Sequence, residues 1–94
     1  MNDEPVHHLP IEDAIDLHAF APRDVADVVT DYIDAAADAG HVLVRIIHGR
    51  GIGVQRATVH RVLRSHPRVI SFHDAPDAHL GATIAELRLS SAHP

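Results

Sequence analysis

The fold of this chain is decided by one stretch, VLVRIIHGRGIGVQRATVHRVLRS (residues 42–65). Its first six residues are mostly β-branched and predict a strand buried on both faces apart from Arg45. HGRGIG (48–53) predicts a loop, because three of its six residues are glycine. From Val54 to Ser65 the apolar residues recur at helical spacing. The positions expected to face the core are Ala57, Val59, Val62 and Leu63.

A shorter strand is predicted near the start of the chain. Residues 14–18 (AIDLH) alternate between apolar and polar types. The alternation places Ile15 and Leu17 on one side and Asp16 and His18 on the other, which is typical of a half-buried strand.

The remaining elements follow from start and stop signals. Pro22 is tolerated at the first position of a helix, and Gly40 is expected to cap the end of that helix. VISFH (69–73) and TIAELRL (83–89) predict two further strands joined by a turn-rich loop. The predicted order, strand–helix–strand–helix–strand–strand, is that of an α/β protein.

Composition limits the chain to one modest domain. With 94 residues and no cysteine it can form neither disulfides nor a thiolate zinc site. Its apolar runs are too short to cross a membrane, and MNDEPVHH lacks the features of a secretion signal. We therefore expect a cytoplasmic protein with no membrane partner. We expect a loose lead-in at 1–11, a single domain at 12–90 and a tail at 91–94.

Charge is distributed unevenly, although the net charge is −5. Residues 1–40 hold ten carboxylates and one arginine, whereas residues 41–68 hold six arginines and no carboxylate. Every basic residue is arginine, which forms forked contacts with phosphate. The arginines of the second predicted helix, Arg56, Arg61 and Arg64, are therefore either a solvated face or a track for nucleic acid.

Two polar motifs are expected to meet at one sheet edge. A helical crossover joins the first two strands, so they should be parallel and end on the same side. That arrangement brings Asp16 and His18 close to His48 and Arg50. A carboxylate beside an imidazole can orient it and raise its basicity, or the two can hold a divalent ion.

The HGRGIG loop is a candidate phosphate site. Gly49, Gly51 and Gly53 allow backbone conformations and close approaches that other residues do not. The following helix supplies free N–H groups, while Arg50 and Arg56 can add charged contacts. The alternative is a tight turn between strand and helix. The loop matches neither the Walker nor the Rossmann glycine pattern.

Residues 14–89 resemble the Smr (small MutS-related) domain. The pieces that carry the resemblance are Asp16-Leu17-His18, His48-Gly49-Arg50-Gly51, Phe72 with Ala75, and Gly81-Ala82-Thr83 with Leu87. The resemblance implies a two-layer sandwich of two helices on a four-stranded mixed sheet, similar to the C-terminal domain of translation initiation factor three. The chain departs from the family pattern at Ala19, where the family usually has glycine, and at 78–80, where two further glycines are missing.

The resemblance also implies a function, because family members nick DNA or cleave RNA, some of them at stalled ribosomes. It implies active residues at Asp16, His18, His48, Gly49, Arg50 and Gly51. In an endonuclease, His18 or His48 would activate water, and Asp16 would orient the histidine or hold Mg²⁺ or Mn²⁺. The alternatives are a nucleic-acid or ribosome-binding module without turnover, and a small phosphoesterase acting on nucleotides.

Overall fold

The computed structural model describes residues 11–51 and 53–89. The strands and helices are β1 (Ala14–Asp16), α1 (Val25–Asp38), β2 (Leu43–Ile47), α2 (Val54–Ser65), β3 (Val69–Asp74) and β4 (Ala82–Leu87). The predicted α/β order of these six elements is confirmed. The expected lead-in at 1–11, except for Ile11, and the expected tail at 91–94 lie outside the described residues.

The four strands form one mixed sheet in the order β1-β2-β4-β3. β1 pairs with β2 in parallel, whereas β4 lies antiparallel to both β2 and β3. The two helices pack against each other and share a single core with the sheet. The largest fully buried side chains of that core are Leu17, Val25, Val29, Ile33, Val44, Ile46, Val59, Leu63 and Leu87.

The prediction that the second strand is buried on both faces is wrong. Val44 and Ile46 are buried, but Leu43, the first residue of the strand, is 57% exposed. The helices cover only one face of the sheet, so β2 alternates between core and solvent although its sequence is apolar on both sides.

The ends of α1 follow the sequence signals closely. Pro22 opens a 3-10 turn, and the α-helix begins immediately after it, at Val25. Gly40 adopts a left-handed φ of 94°, and the N–H of His41 donates to the carbonyl of Ala36. This bond satisfies a carbonyl at the helix end, as a left-handed glycine cap does.

α2 confirms its predicted bounds but not all of its predicted core positions. Val59, Val62 and Leu63 are buried, whereas Ala57 is exposed. His60 is outside the predicted core positions, but its ring packs against Phe72 with ring centroids 5.0 Å apart. The face of α2 that packs on the sheet therefore includes His60 and not Ala57, which differs from the predicted face.

The loop before β4 contains local strain within residues 78–80, the segment that lacks two glycines of the family pattern. His79 and Leu80 have φ values of 50° and 69°, in the left-handed region that disfavours side chains with a Cβ. Leu80 is also 54% exposed, so its side chain contributes few contacts that offset this cost.

Leu80→Gly should therefore raise the free energy of unfolding, by up to about 1 kcal/mol, because relief of left-handed strain outweighs the flexibility that glycine adds to the unfolded chain. Urea denaturation measures the change. Leu43→Gly is the matched control, since Leu43 is equally exposed but lies in an extended strand, where glycine should destabilise. A loss of stability in both variants would contradict the role assigned to strain.

Candidate functional site

A cavity of about 470 Å³ opens at the carboxyl ends of β1 and β2. Its lining consists of His18, Pro22, His48, Gly49, Arg50, Gly51, Gly53, Val54, Gln55 and Arg56. Seven of these ten residues belong to the site predicted from the sequence. The other three are Pro22, Val54 and Gln55. Each lies shortly after one of the two motifs in the sequence, and this proximity could have predicted that they line the site.

Asp16 and His18 pair through a local turn and not across a strand face. β1 ends at Asp16, and Leu17–Ala19 form a 3-10 turn that Asp16 caps. Asp16 Oδ1 accepts the backbone N–H of His18 at 2.9 Å and lies 2.6 Å from His18 Nδ1. These bonds, the backbone one first, lower the pKa of Asp16. The predicted shared strand face was wrong, although the predicted pair forms.

The contact with Asp16 determines which ring nitrogen of His18 faces the rest of the site. An ionised carboxylate only accepts, so the Nδ1 of His18 carries a proton, and in the neutral imidazole Nε2 then has the lone pair. A Cβ built on Gly49 would lie 3.0 Å from His18 Nε2, so the imidazole rests against the loop backbone. Asp16 itself does not line the cavity and touches it only through His18.

His48 has a different environment from His18. It is 4% exposed, its Nδ1 lies 3.0 Å from the carbonyl of Gly49, and its Nε2 lies 2.9 Å from Thr83 Oγ1. The backbone N–H groups of His48 and Gly49 both donate to the carbonyl of Gly81. His48 therefore holds the start of the loop in place, with both ring nitrogens engaged inside the protein.

Arg50 and Arg56 both line the cavity but differ in charge pairing. Arg56 forms a forked ion pair with Asp74, with bonds of 2.9 and 2.7 Å. This pair raises the pKa of Arg56 and lowers that of Asp74. Arg50 is exposed and makes no ion pair within residues 11–51 and 53–89. Its Cγ would lie 3.3 Å from a Cβ at Gly81, so a glycine there leaves room for it.

The basic segment between residues 41 and 68 is partly neutralised by distant carboxylates. Arg45 pairs with Asp77 at 3.2 Å, and Arg68 with Asp38 at 2.9 Å. Arg61 and Arg64 are exposed and lack such partners in the described part of the chain. Neither lines the cavity, and Arg61 borders a separate groove between α1 and α2. Of the three arginines proposed as a nucleic-acid track, Arg56 therefore lines the cavity, whereas Arg61 and Arg64 lie outside it.

Two polar residues beneath the loop were missed as part of the site. Thr83 is fully buried, and its hydroxyl lies 2.9 Å from His60 Nε2 as well as from His48. His60 was not among the positions of α2 that the sequence predicted to face the core. The alternation of β4 could have predicted the role of Thr83, because it places Thr83 on the same side as the buried Ala85. A buried hydroxyl requires a hydrogen-bond partner.

The environment of His60 predicts acid sensitivity. Burial first, and then the charge of Arg56, lowers the pKa of His60. Its protonation is therefore disfavoured in the folded state relative to the unfolded chain. Stability should be fully present above the unfolded value of about 6.5 and should be lost as pH falls towards the folded pKa.

His60→Gln should accordingly reduce the loss of unfolding free energy between about pH 7.5 and pH 5, a range chosen around the ordinary histidine pKa. Urea midpoints at the two pH values measure this loss. His73→Gln serves as the control, because it makes the same substitution at an exposed position on β3. An unchanged slope in His60→Gln would contradict the prediction.

Within the described ranges, no three His, Asp or Glu side chains are grouped so that they could hold a metal ion. Asp16 nevertheless fits Mg²⁺ or Mn²⁺, because such an ion can keep most of its water ligands and bind through one carboxylate. The Oδ2 atom of Asp16 makes none of the hydrogen bonds that engage Oδ1. None of the described helices is long and apolar enough to span a membrane.

This architecture defines an α/β domain whose glycine-rich loop and acid–histidine pair meet at the carboxyl edge of parallel strands. Residues 15–88 match the family described as the Smr domain, and the chain belongs to that family. It is 39% identical over 80 residues to the endonuclease MutS2 of Caldicellulosiruptor bescii and 42% identical over 76 residues to that of Brevibacillus brevis. These matches cover 83% and 79% of this chain but only 10% of each relative.

Solved structures show the same fold. The Smr domain of Thermus thermophilus MutS2 superposes with a TM-score of 0.75 at 31% identity, covering 80% of this chain and 96% of that one. YdaL, a stand-alone small MutS-related protein from Escherichia coli, gives 0.74 at 26% identity, covering 81% and 64%. The two-layer sandwich expected from the resemblance is thereby confirmed.

Proposed function

We propose that this domain is an endonuclease that hydrolyses phosphodiester bonds in DNA or RNA. The observation that carries the proposal is the placement of His18, whose Nε2 lies against Gly49 while its Nδ1 is held by Asp16. An imidazole oriented in this way, beside a glycine-rich loop and an arginine with no ion-pair partner in the described residues, is suited to deprotonate water next to a bound phosphate.

His18 is the better candidate for the general base of the two histidines. Its side chain is 67% exposed, whereas His48 is buried and has both ring nitrogens occupied. His18 Nε2 would take the proton of the attacking water, and the Asp16 carboxylate would stabilise the imidazolium that results. Asp16 is a positioning residue in this scheme.

The loop would bind the phosphate and stabilise the charge that develops on it. Arg50 is the cavity-lining cation without a carboxylate partner in the described residues, so its guanidinium is available to a phosphate oxygen. Gly49, Gly51 and Gly53 all have positive φ values. Gly53 is the N-cap residue of α2, and because glycine has no side chain, no side-chain cap accepts from the first N–H groups of this helix. N–H groups at the start of α2 are therefore open to an anion.

Mg²⁺ or Mn²⁺, if used, would be held by Asp16, whose Oδ2 accepts none of the hydrogen bonds described for Oδ1. Such an ion would supply charge stabilisation and a more acidic water. The roles of His18 and Arg50 described above do not depend on it.

The alternative is a module that binds nucleic acid or the ribosome without cleaving it. Arg61 and Arg64 favour this reading, because they are exposed cations outside the cavity that binding could use and hydrolysis would not need. Either function fits the cytoplasmic setting expected from the sequence, where DNA, RNA and ribosomes are all accessible partners.

The test is incubation of the pure protein with supercoiled plasmid, structured RNA and a small phosphodiester, each with Mg²⁺, Mn²⁺ or a chelator. We expect nicking or cleavage of at least one nucleic acid. Salt-dependent binding with no cleavage in any arm would replace the endonuclease by the binding module. Hydrolysis of the small diester alone would instead favour the phosphoesterase.

A further inference from the structure

A buried polar cluster lies directly beneath the loop, formed by His48, Thr83 and His60. The hydroxyl of Thr83, which is fully buried, lies 2.9 Å from the Nε2 atoms of both histidines. No step of the proposed hydrolysis uses these three side chains. Buried polar groups are costly unless they are hydrogen-bonded, so each atom of the cluster should have a defined role as donor or acceptor.

The neighbouring carbonyl assigns those roles. The oxygen of Gly49 can only accept, so the Nδ1 of His48, 3.0 Å away, carries the proton. A neutral imidazole has one N–H, and Nε2 of His48 must therefore accept the hydroxyl proton of Thr83. Because that hydroxyl has a single proton, its oxygen accepts from the Nε2–H of His60.

We propose that Thr83 and His60 are positioning residues that hold His48 in the Nδ1–H tautomer and thereby orient the peptide between Gly49 and Arg50 towards a phosphate. In a trans peptide the C=O and N–H point in opposite directions. With the carbonyl of Gly49 drawn to the His48 ring, the N–H of Arg50 points away from it.

Two further contacts keep the start of the loop in this orientation. The N–H groups of His48 and Gly49 both donate to the carbonyl of Gly81, at 3.0 and 2.9 Å. The N–H of Arg50 has no acceptor within residues 11–51 and 53–89, so it is free for a ligand. The inference rests on the proposed function only in naming phosphate as that ligand.

The test compares two substitutions of Thr83 by ¹⁵N NMR of the histidine rings. We expect His48 to be in the Nδ1–H form in the wild type and in Thr83→Ser, which keeps the hydroxyl. Thr83→Val keeps the shape but removes the donor, and should increase the Nε2–H form of His48. Phosphate binding, followed through the amide signal of Arg50 during titration with inorganic phosphate, should weaken about tenfold in Thr83→Val and recover in Thr83→Ser.

A wild-type spectrum showing the Nε2–H form of His48 would overturn the inference, and this measurement requires no variant to fold. An unchanged tautomer in Thr83→Val would do the same even if the protein cleaves nucleic acid. Unchanged phosphate binding in spite of a changed tautomer would overturn the link to the loop. Conversely, the predicted NMR and phosphate results in a protein that cleaves nothing would support this inference and contradict only the proposed endonuclease.

Discussion

Replacing His18 with alanine should lower the single-turnover rate of phosphodiester cleavage by about 10²–10⁴-fold, the usual contribution of one general acid–base group. The reason is geometric. His18 presents Nε2 at the cavity, and Asp16 holds the opposite nitrogen at 2.6 Å. Equilibrium affinity for the same nucleic acid should change little, because Arg50 and the loop would supply most of the ground-state contacts with phosphate.

The control for this experiment is His73→Ala, which removes an exposed imidazole on β3 that does not line the cavity. His73→Ala should cleave at the wild-type rate. Arg50→Ala should lower both rate and affinity, since its charge would act on bound substrate and on the transition state alike. Retention of the wild-type rate in His18→Ala would contradict the assignment of His18 as the general base.

The largest expected effect on stability is that of Leu17→Ala. Leu17 is fully buried in the core shared by the helices and the sheet. Truncation of a buried leucine leaves a cavity and should lower the free energy of unfolding by about 2–5 kcal/mol. The neighbouring His18→Ala should change it by no more than about 0.5 kcal/mol, because the His18 side chain is largely exposed. Urea denaturation of the two variants under the same conditions makes the comparison.

This pair of substitutions also separates loss of fold from loss of chemistry. A His18→Ala protein that is as stable as the wild type but inactive would show that the imidazole itself is required. If His18→Ala and Leu17→Ala proved equally destabilising, the assignment of inward and outward residues in the 3-10 turn would be wrong. Asp16→Ala should fall between them, at about 1 kcal/mol, because Asp16 caps that turn.

Local parts of the site could be predicted from the sequence because they depend on neighbouring residues. The bounds of α2 and the loop before it follow from helical periodicity and glycine spacing, which act over a few residues. The meeting of His18 with His48 follows from the helical crossover that makes β1 and β2 parallel. The pairing of Asp16 with His18 was predicted for the wrong reason, since a 3-10 turn and a strand both bring residues two apart into contact.

The ion-pair partners of the arginines could not be predicted from the sequence, because they are distant along the chain. Arg56 meets Asp74, Arg45 meets Asp77 and Arg68 meets Asp38 only after the sheet and helices have packed. A count of charges between residues 41 and 68 therefore overstated the basic surface, whereas the exposure of Arg50 without an ion-pair partner in the described residues became clear only in three dimensions.

By itself, the sequence determined the elements, their order and the edge at which the two motifs meet, because dihedral preferences, caps and crossover handedness are local constraints. Only the tertiary structure decided what lies beneath the loop. The insertion of β4 between β2 and β3 brings Thr83 under His48 and within reach of His60. Strand order depends on the joint burial of apolar faces from the whole chain, and no local pattern carries that information.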